Sequence, residues 1–124
     1  RIAKKVSKAA PGVPIIVFPR LAGIKYQKFR NLSGVSCISV DQSVSLEWAL
    51  MSLKGQIALQ GNLDPVCLVC GGKALEKETK RILKVVENKP FIFNLGHGVL
   101  PQTPPENVSA LCDLVVNWKL NKET

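Results

Sequence analysis

The residue best placed to do chemistry is the chain's single histidine, His97. It follows an apolar run that begins at Phe91, and Gly96 and Gly98 flank it. Glycines let a backbone turn tightly and approach a ligand closely. An imidazole, with an ordinary pKa of roughly 6.5, can pair with a carboxylate or move a proton. A lone histidine is more often structural, but this pattern favours an active-site role for His97, with Asn94 and the two glycines supporting its loop.

Polar side chains also follow two other apolar runs, at the points where strands would end. Asp41 follows the run that begins at Cys37, and Asn62 and Asp64 follow the run that begins at Ile57. Short polar side chains in such positions commonly accept hydrogen bonds from loop amides or cap the next helix. We therefore expect structural roles for Asp41, Asn62 and Asp64.

Four cysteines offer thiol chemistry, and only Cys67 and Cys70 form a C-x-x-C pair. A zinc ribbon would need a second such pair, and a redox motif would need a strand-to-helix context with a flanking aromatic residue or proline. The sequence indicates neither. Cys37 and Cys112 lie within apolar runs, which is typical of small buried hydrophobic residues. We expect four reduced thiols, a cytoplasmic protein and no metal site.

Apolar runs and helical stripes alternate along the chain. The runs predict strands that start near residues 14, 37, 56 and 91, and the first run, 14–18, is expected to be a buried strand. Helices are predicted over 2–10, 26–32, 44–53 and 74–87, and from 105 onward. Gly55 is expected to end the helix over 44–53. Residues 103–106 (TPPE) resemble a capping box, so Thr103 is the predicted N-cap of the last helix.

Strands that alternate with helices predict a parallel sheet, because each helix supplies the crossover that parallel strands require. Two α/β architectures fit this order: a small open sheet, or half of a (β/α)8 barrel. A whole barrel needs roughly 250 residues, about twice the 124 of this chain. The helical pattern before the first strand favours the half barrel. In both architectures, functional side chains gather at the carboxyl ends of the strands.

Composition excludes several classes of protein. The chain is 46% apolar and 21% charged, with nine glycines and eight prolines, which argues against a disordered chain or a long helical coil. The longest stretch without a formal charge, 90–105, contains four prolines and two glycines, so a membrane span is not expected. The net charge of +8 suits a polyanionic partner or a basic solvated surface. Without an RNA-binding or zinc-finger motif, nucleic acid is not the expected partner.

Two runs of the sequence resemble one known family. Residues 93–101 (FNLGHGVLP), followed by 103–104 (TP) and 106–108 (ENV), are similar to the C-terminal signature of the uroporphyrinogen decarboxylases. Residues 59–65 (LQGNLDP) resemble the end of that family's preceding strand, and residues 13–18 and 40–41 fall where the family has two earlier strands. The resemblance covers essentially the whole chain in order. It implies that residues 1–124 are the C-terminal half, about four strand–helix units, of a single (β/α)8 TIM barrel domain, with no complete domain boundary inside the chain.

The resemblance also implies an activity. Members of the family are lyases of porphyrin biosynthesis that remove four acetate carboxyls from uroporphyrinogen III to give coproporphyrinogen III, without cofactor or metal. Of the family's usual substrate-contacting side chains, only the histidine is matched, at His97; contact with a substrate carboxylate is a safer role for it than proton donation. The resemblance implies tetrapyrrole ligands, a homodimer of the full-length enzyme, a cytoplasmic location, and no nucleic acid or membrane partner.

Other interpretations stay open at this point. Zinc-dependent corrinoid or thiol methyltransferases share the superfamily, but they place a cysteine ligand where this chain has His97. A non-catalytic basic binding module, or a degenerate remnant, is a further alternative. The family's arginine-rich loop, pyrrole-binding aspartate, active-site tyrosine and upstream serine or threonine have no match in the chain. We therefore expect the 124 residues to be inactive alone, and to associate through the open edges of the half barrel.

Overall fold

A computed structural model describes residues 1–53 and 57–118 of the chain. Strands and helices alternate through these residues, and the four strands form one parallel sheet in the order β1-β2-β3-β4. This architecture confirms the predicted α/β class. The elements are α1 (Ile2–Ala9), β1 (Ile16–Val17), a 3-10 helix (Gly23–Phe29), β2 (Cys37–Ser39), α2 (Leu46–Leu53), β3 (Ala58–Leu63), α3 (Pro65–Cys70), α4 (Gly72–Val85), β4 (Phe91–Leu95) and α5 (Pro105–Asn117).

The strands are parallel, so their carboxyl ends lie at one edge of the sheet, and their register aligns one row of side chains across all four. Val17 pairs with Ile38, Ile38 pairs with Leu59, and Leu59 pairs with Phe91. These four side chains pack in or against the core beneath the helices. Because side chains alternate between the two faces of a strand, the residues next to this row point to the opposite face.

The core lies between the sheet and the helices. Ile38 and Leu59 on the strands, and Val40 just after β2, are almost fully buried against a cluster that includes Leu46 of α2 and Ile82 of α4. Burial of aliphatic side chains on this scale contributes about 1.5–3 kcal/mol for each one fully removed from water. None of the helices in the described residues is long and apolar enough to cross a membrane.

The first strand differs from its prediction. Regular pairing covers only Ile16 and Val17, while Ile16 is 46% and Phe18 43% exposed. The expectation of a buried strand was wrong because Ile16 and Phe18 point to the face of the sheet opposite the helices, and only Val17 packs against the core. The helix predicted over 26–32 is a 3-10 helix that begins earlier, at Gly23. The predicted stop at Gly55 lies outside the described residues.

The predicted capping box is also wrong. The last helix begins at Pro105, its N-cap residue is Pro104, and no side chain caps it. The Thr103 hydroxyl is buried without a hydrogen-bond partner, although its backbone N–H donates to Leu100 O at 3.0 Å. Proline has no backbone N–H, so Pro105 at the first helical position leaves one donor fewer to be capped. The helix therefore starts without help from the Thr103 hydroxyl.

Two substitutions compare the start of α5, which has no side-chain cap, with the start of α3, which Asp64 caps. Thr103→Val should change the free energy of unfolding by less than about 0.5 kcal/mol, because it removes an unpaired hydroxyl and keeps the shape. Asp64→Ala should cost about 1 kcal/mol, because the Asp64 carboxylate accepts the Val66 N–H at 2.9 Å and caps α3. Urea unfolding of the purified variants measures both. A larger loss for Thr103→Val than for Asp64→Ala would contradict this account of the caps.

Candidate functional site

A recess of about 300 Å³ opens on the face of the sheet opposite the helices, at the carboxyl ends of the strands. It reaches from β1 to β4 and therefore crosses the width of the sheet. A larger groove of about 770 Å³ lies between α4 and α5, on the outer side of the sheet and away from the strand ends. The recess is lined by Ile16, Phe18, Ser39, Gln60, Asn94, Leu95, His97, Gly98 and Val99.

His97 lies where the sequence placed it, two residues after β4, and its exposed side chain lines the recess. Its imidazole has no hydrogen bond to any residue that the structure describes. Asn94, the predicted supporting residue, lines the same recess, and its Oδ1 accepts the N–H of Leu95 at 2.8 Å. The structure therefore brings His97 and Asn94 together at the mouth of the sheet, with the imidazole facing open space.

The two predicted supporting glycines differ in their surroundings. A Cβ on Gly96 would lie 2.7 Å from Gln42 Oε1 and even closer to the Gln42 backbone nitrogen, so only glycine fits there without displacement. The Gly96 N–H also donates to Leu63 O at 2.7 Å, which continues the β3–β4 ladder. A Cβ on Gly98 would have nothing within 4 Å. Gly96 therefore fixes the His97 loop against the loop after β2, and Gly98 is under no such restriction.

Asp41 joins the loops that follow β1 and β2. It is 1% exposed, and its carboxylate accepts hydrogen bonds from Leu21 N at 2.6 Å, from the Tyr26 hydroxyl at 2.9 Å and from Ser43 N at 2.9 Å. The Ser43 hydroxyl donates a further, short hydrogen bond to it. Leu21 has a φ of +59°, a conformation that this backbone hydrogen bond holds in place. The contacts match the structural role expected for Asp41.

The network shifts the ionisation of both its acidic groups. Burial alone would raise the pKa of Asp41, but hydrogen bonds from Ser43, Leu21 and Tyr26 outweigh burial and lower the pKa below its ordinary value of 3.8. Burial raises the pKa of Tyr26 to about 12, and the adjacent Asp41 carboxylate contributes to that shift. Near neutral pH the pair is therefore a carboxylate accepting a hydrogen bond from a neutral phenol.

Asn62 ties β3 to the loop after β2. Its Nδ2 donates to Val44 O at 2.8 Å and to Asp41 O at 3.2 Å, and its side chain is largely buried. Gly61, just before it, has a φ of +131°, and a Cβ there would lie 2.5 Å from Val40 O. The GNLDP run therefore serves close packing between neighbouring strands, and Asp64 within it caps α3 as expected.

The cysteines supply no metal site among the described residues. Cys67 and Cys70 lie one turn apart in α3, where Cys67 is half-buried and Cys70 exposed, and burial raises the pKa of the Cys67 thiol. Within residues 1–53 and 57–118, no three His, Cys, Asp or Glu side chains come together as a metal site would require. Cys37 is buried as predicted, but Cys112 is exposed, because it lies beside the buried stripe of α5 that Leu111 occupies.

Comparison with known proteins decides the family. The sequence model of the family described as Uroporphyrinogen decarboxylase matches residues 1–118, which include every strand of the sheet and the His97 loop. The chain belongs to the uroporphyrinogen decarboxylase family. The resemblance seen in residues 59–65 and 93–101 is thereby confirmed, and the four parallel strand–helix units are part of that family's barrel.

Curated relatives of the chain are named uroporphyrinogen decarboxylase. The chain is 49% identical over 115 residues to the uroporphyrinogen decarboxylase of Rhodospirillum rubrum. It is 43% identical over 115 residues to that of Paracoccus denitrificans and 44% identical over 116 residues to that of Cereibacter sphaeroides. Each alignment covers 93% of this chain but only 33–34% of the relative. The chain thus spans about a third of the length of these decarboxylases.

Several residues of the site escaped sequence reasoning. The sequence pattern places Tyr26 only in a helix, whereas the structure buries it fully beside Asp41. Gln42 contacts Gly96 from a different loop, and no local pattern could show that contact. Ser39 and Gln60 line the recess, and Gln60 Nε2 donates to Ser39 Oγ at 3.2 Å. Their polarity inside apolar strands was the available signal, because a polar side chain there must face something other than the core.

Gly96→Ala should destabilise the protein by about 1–3 kcal/mol, because the new methyl group collides with Gln42. Gly98→Ala, a matched change two residues away with nothing within 4 Å, should be nearly neutral. The free energies of urea unfolding measure the difference. Equal losses for the two variants would contradict the close approach of the loops.

Asp41→Asn should cost about 1.5–3 kcal/mol at pH 7, because it removes the charge from a buried set of hydrogen bonds. The folded pKa of Asp41 is lowered, so its contribution is complete above the unfolded pKa and is lost as the pH falls through the folded value. The gap in unfolding free energy between wild type and variant should therefore stay constant from pH 7 to about 5 and narrow below about pH 4.

Asp113→Asn is the control for this titration, because it removes the same charge from an exposed side chain of α5. It should leave the unfolding free energy within about 0.5 kcal/mol of wild type. A gap for Asp41→Asn that stayed the same down to pH 3, or that was absent at pH 7, would show that the carboxylate does not hold the loops.

Proposed function

We propose that the protein to which this chain belongs is a uroporphyrinogen decarboxylase, a carboxy-lyase that converts uroporphyrinogen III to coproporphyrinogen III. The observation that carries the proposal is the position of His97, exposed in a recess at the carboxyl ends of parallel strands. In a (β/α)8 barrel that edge holds the active site. Family membership and relatives named for this activity support the same conclusion.

The substrate's own ring system can drive the proposed reaction. A carboxylate leaves as carbon dioxide only if its bonding electrons have an acceptor, and a protonated pyrrole carbon provides one within the substrate. The reaction we propose therefore runs without a cofactor or metal. The acid and the residues that hold the pyrrole nitrogens belong, in this proposal, to parts of the family's barrel that the chain does not match.

The role proposed for His97 is contact with a substrate carboxylate. Its ring is unpaired among the described residues, and the recess around it is partly apolar, through Phe18, Leu95 and Val99. An apolar tetrapyrrole edge with a carboxylate beside the imidazole fits such a lining. Asn94 and Gly96 support the His97 loop. Asn94 Oδ1 accepts a hydrogen bond from the Leu95 N–H, and the lack of a side chain at Gly96 lets the loop pack against Gln42.

The rest of the barrel would enclose the face of the sheet that the chain leaves open. Residues 1–124 supply the C-terminal four strand–helix units of a single barrel domain, which is half of its strands although only about a third of the relatives' length. The remaining strands cover the exposed inner face at Ile16, Phe18 and Ile92. The full-length enzyme is a cytoplasmic homodimer that binds tetrapyrroles rather than nucleic acid or membranes. Because the acid and the residues that hold the pyrrole nitrogens belong, in this proposal, to the rest of the barrel, the 124 residues alone do not turn over uroporphyrinogen.

The test is turnover of uroporphyrinogen III by the full-length protein and its His97 variants. His97→Ala should lower kcat/KM by about 10–100-fold, the loss of one hydrogen bond to a charged group. His97→Gln, which keeps a donor, should lose less. Activity of His97→Ala equal to wild type would remove His97 from the site, and a wild-type protein that forms no coproporphyrinogen would overturn the proposed function.

A further inference from the structure

The net positive charge of the chain is confined to its first third. Residues 1–40 contain eight Lys and Arg and no Asp or Glu, while residues 41–124 contain nine of each sign. The whole formal charge of +8 therefore lies before Asp41. Such a segment attracts anions, and its unshielded cations are candidates for contact with a polycarboxylate.

Only one of these eight cations follows a strand. The others lie at the chain start, on α1, or on and just after the 3-10 helix, whereas Arg20 lies three residues beyond the end of β1. Phe18, two residues before Arg20, lines the recess. Arg20 does not itself line the recess, but it follows the lining residue Phe18 by two positions beyond the carboxyl end of β1, whereas His97 follows β4.

The backbone around Arg20 is fixed on both sides. The Arg20 N–H donates to Phe18 O at 2.9 Å, and the next residue, Leu21, donates its N–H to the buried Asp41 carboxylate at 2.6 Å. Ala22 N then donates to Pro19 O at 3.1 Å and closes the turn. A guanidinium on a loop held in this way loses less conformational freedom on binding a ligand than one on a free loop.

The Arg20 side chain is available to a ligand. It is exposed and forms no ion pair or hydrogen bond with any residue in the described part of the chain. Arg81 shows the contrast, because its guanidinium is occupied by Glu47 at 2.7 Å and Glu78 at 2.8 Å. A planar guanidinium can donate two parallel hydrogen bonds to one carboxylate, which makes it well suited to a carboxylated ligand.

We infer that Arg20 binds a carboxylate of the substrate at the β1 end of the recess, while His97 contacts another at the β4 end. The inference rests on the proposed function and adds a substrate-binding residue to it. A ligand with carboxylates around an apolar ring system can place one at each end of a recess whose lining between them includes Phe18 and Gln60.

Arg20→Gln in the full-length protein tests the inference, with Arg20→Lys as the conservative variant. Arg20→Gln should raise the KM for uroporphyrinogen III by about 10–100-fold, as expected for loss of a charged hydrogen bond, and change kcat by less than about threefold. Arg20→Lys should recover part of the loss. Lys28→Gln, which removes the same charge from an exposed side chain of the 3-10 helix, should stay within about twofold of wild type.

The outcomes separate this inference from the proposed function. A KM for Arg20→Gln equal to that of an active wild type, or a rise matched by Lys28→Gln, would overturn the role of Arg20 and leave the decarboxylase proposal standing. A wild-type protein without turnover would overturn both. Unfolding in urea at the wild-type midpoint would show that the Arg20 variant is folded, and a variant that lost kcat with an unchanged KM would also contradict the inference.

Discussion

The geometry of the site depends on one buried carboxylate, that of Asp41. Four hydrogen bonds converge on it from the loop after β1, the 3-10 helix and the loop after β2. A buried carboxylate is costly unless such donors surround it, and here their combined effect lowers its pKa despite burial. The same bonds hold Arg20, through Leu21, at the mouth of the sheet. Asp41 does no chemistry in this account; it positions Arg20, the residue proposed to bind a substrate carboxylate.

The other end of the site is held by close packing instead of charge. Gly96 brings the His97 loop against Gln42, so the loops after β2 and β4 touch although β3 lies between their strands. The segment that carries His97 runs from β4 to α5. At its α5 end, Asn107 Nδ2 donates to Leu68 O at 2.9 Å and to Val69 O at 3.1 Å, at the end of α3. The imidazole is thereby left exposed on a backbone that is fixed at both ends.

The sequence predicted those features that depend on local periodicity or on a specific run of residues. The helix over 74–87 is present as Gly72–Val85, and the polar ends of β3 and β4 lie at the mouth of the sheet as expected. Features that depend on distant contacts were missed. The hydrogen bond from Tyr26 to Asp41 spans fifteen residues. Ile16 and Phe18 of the first run are exposed because they point to the face of the sheet opposite the helices. Thr103 does not cap the last helix because that helix starts at Pro105 without it.

The central claim is that the recess at the carboxyl ends of the strands is where the tetrapyrrole binds. A crystal structure of the full-length protein with coproporphyrinogen bound tests it most directly. The account predicts the macrocycle against Phe18 and Gln60, with one carboxylate within hydrogen-bond distance of the His97 ring. A ligand bound instead in the outer groove between α4 and α5, with the recess free of it, would contradict the account.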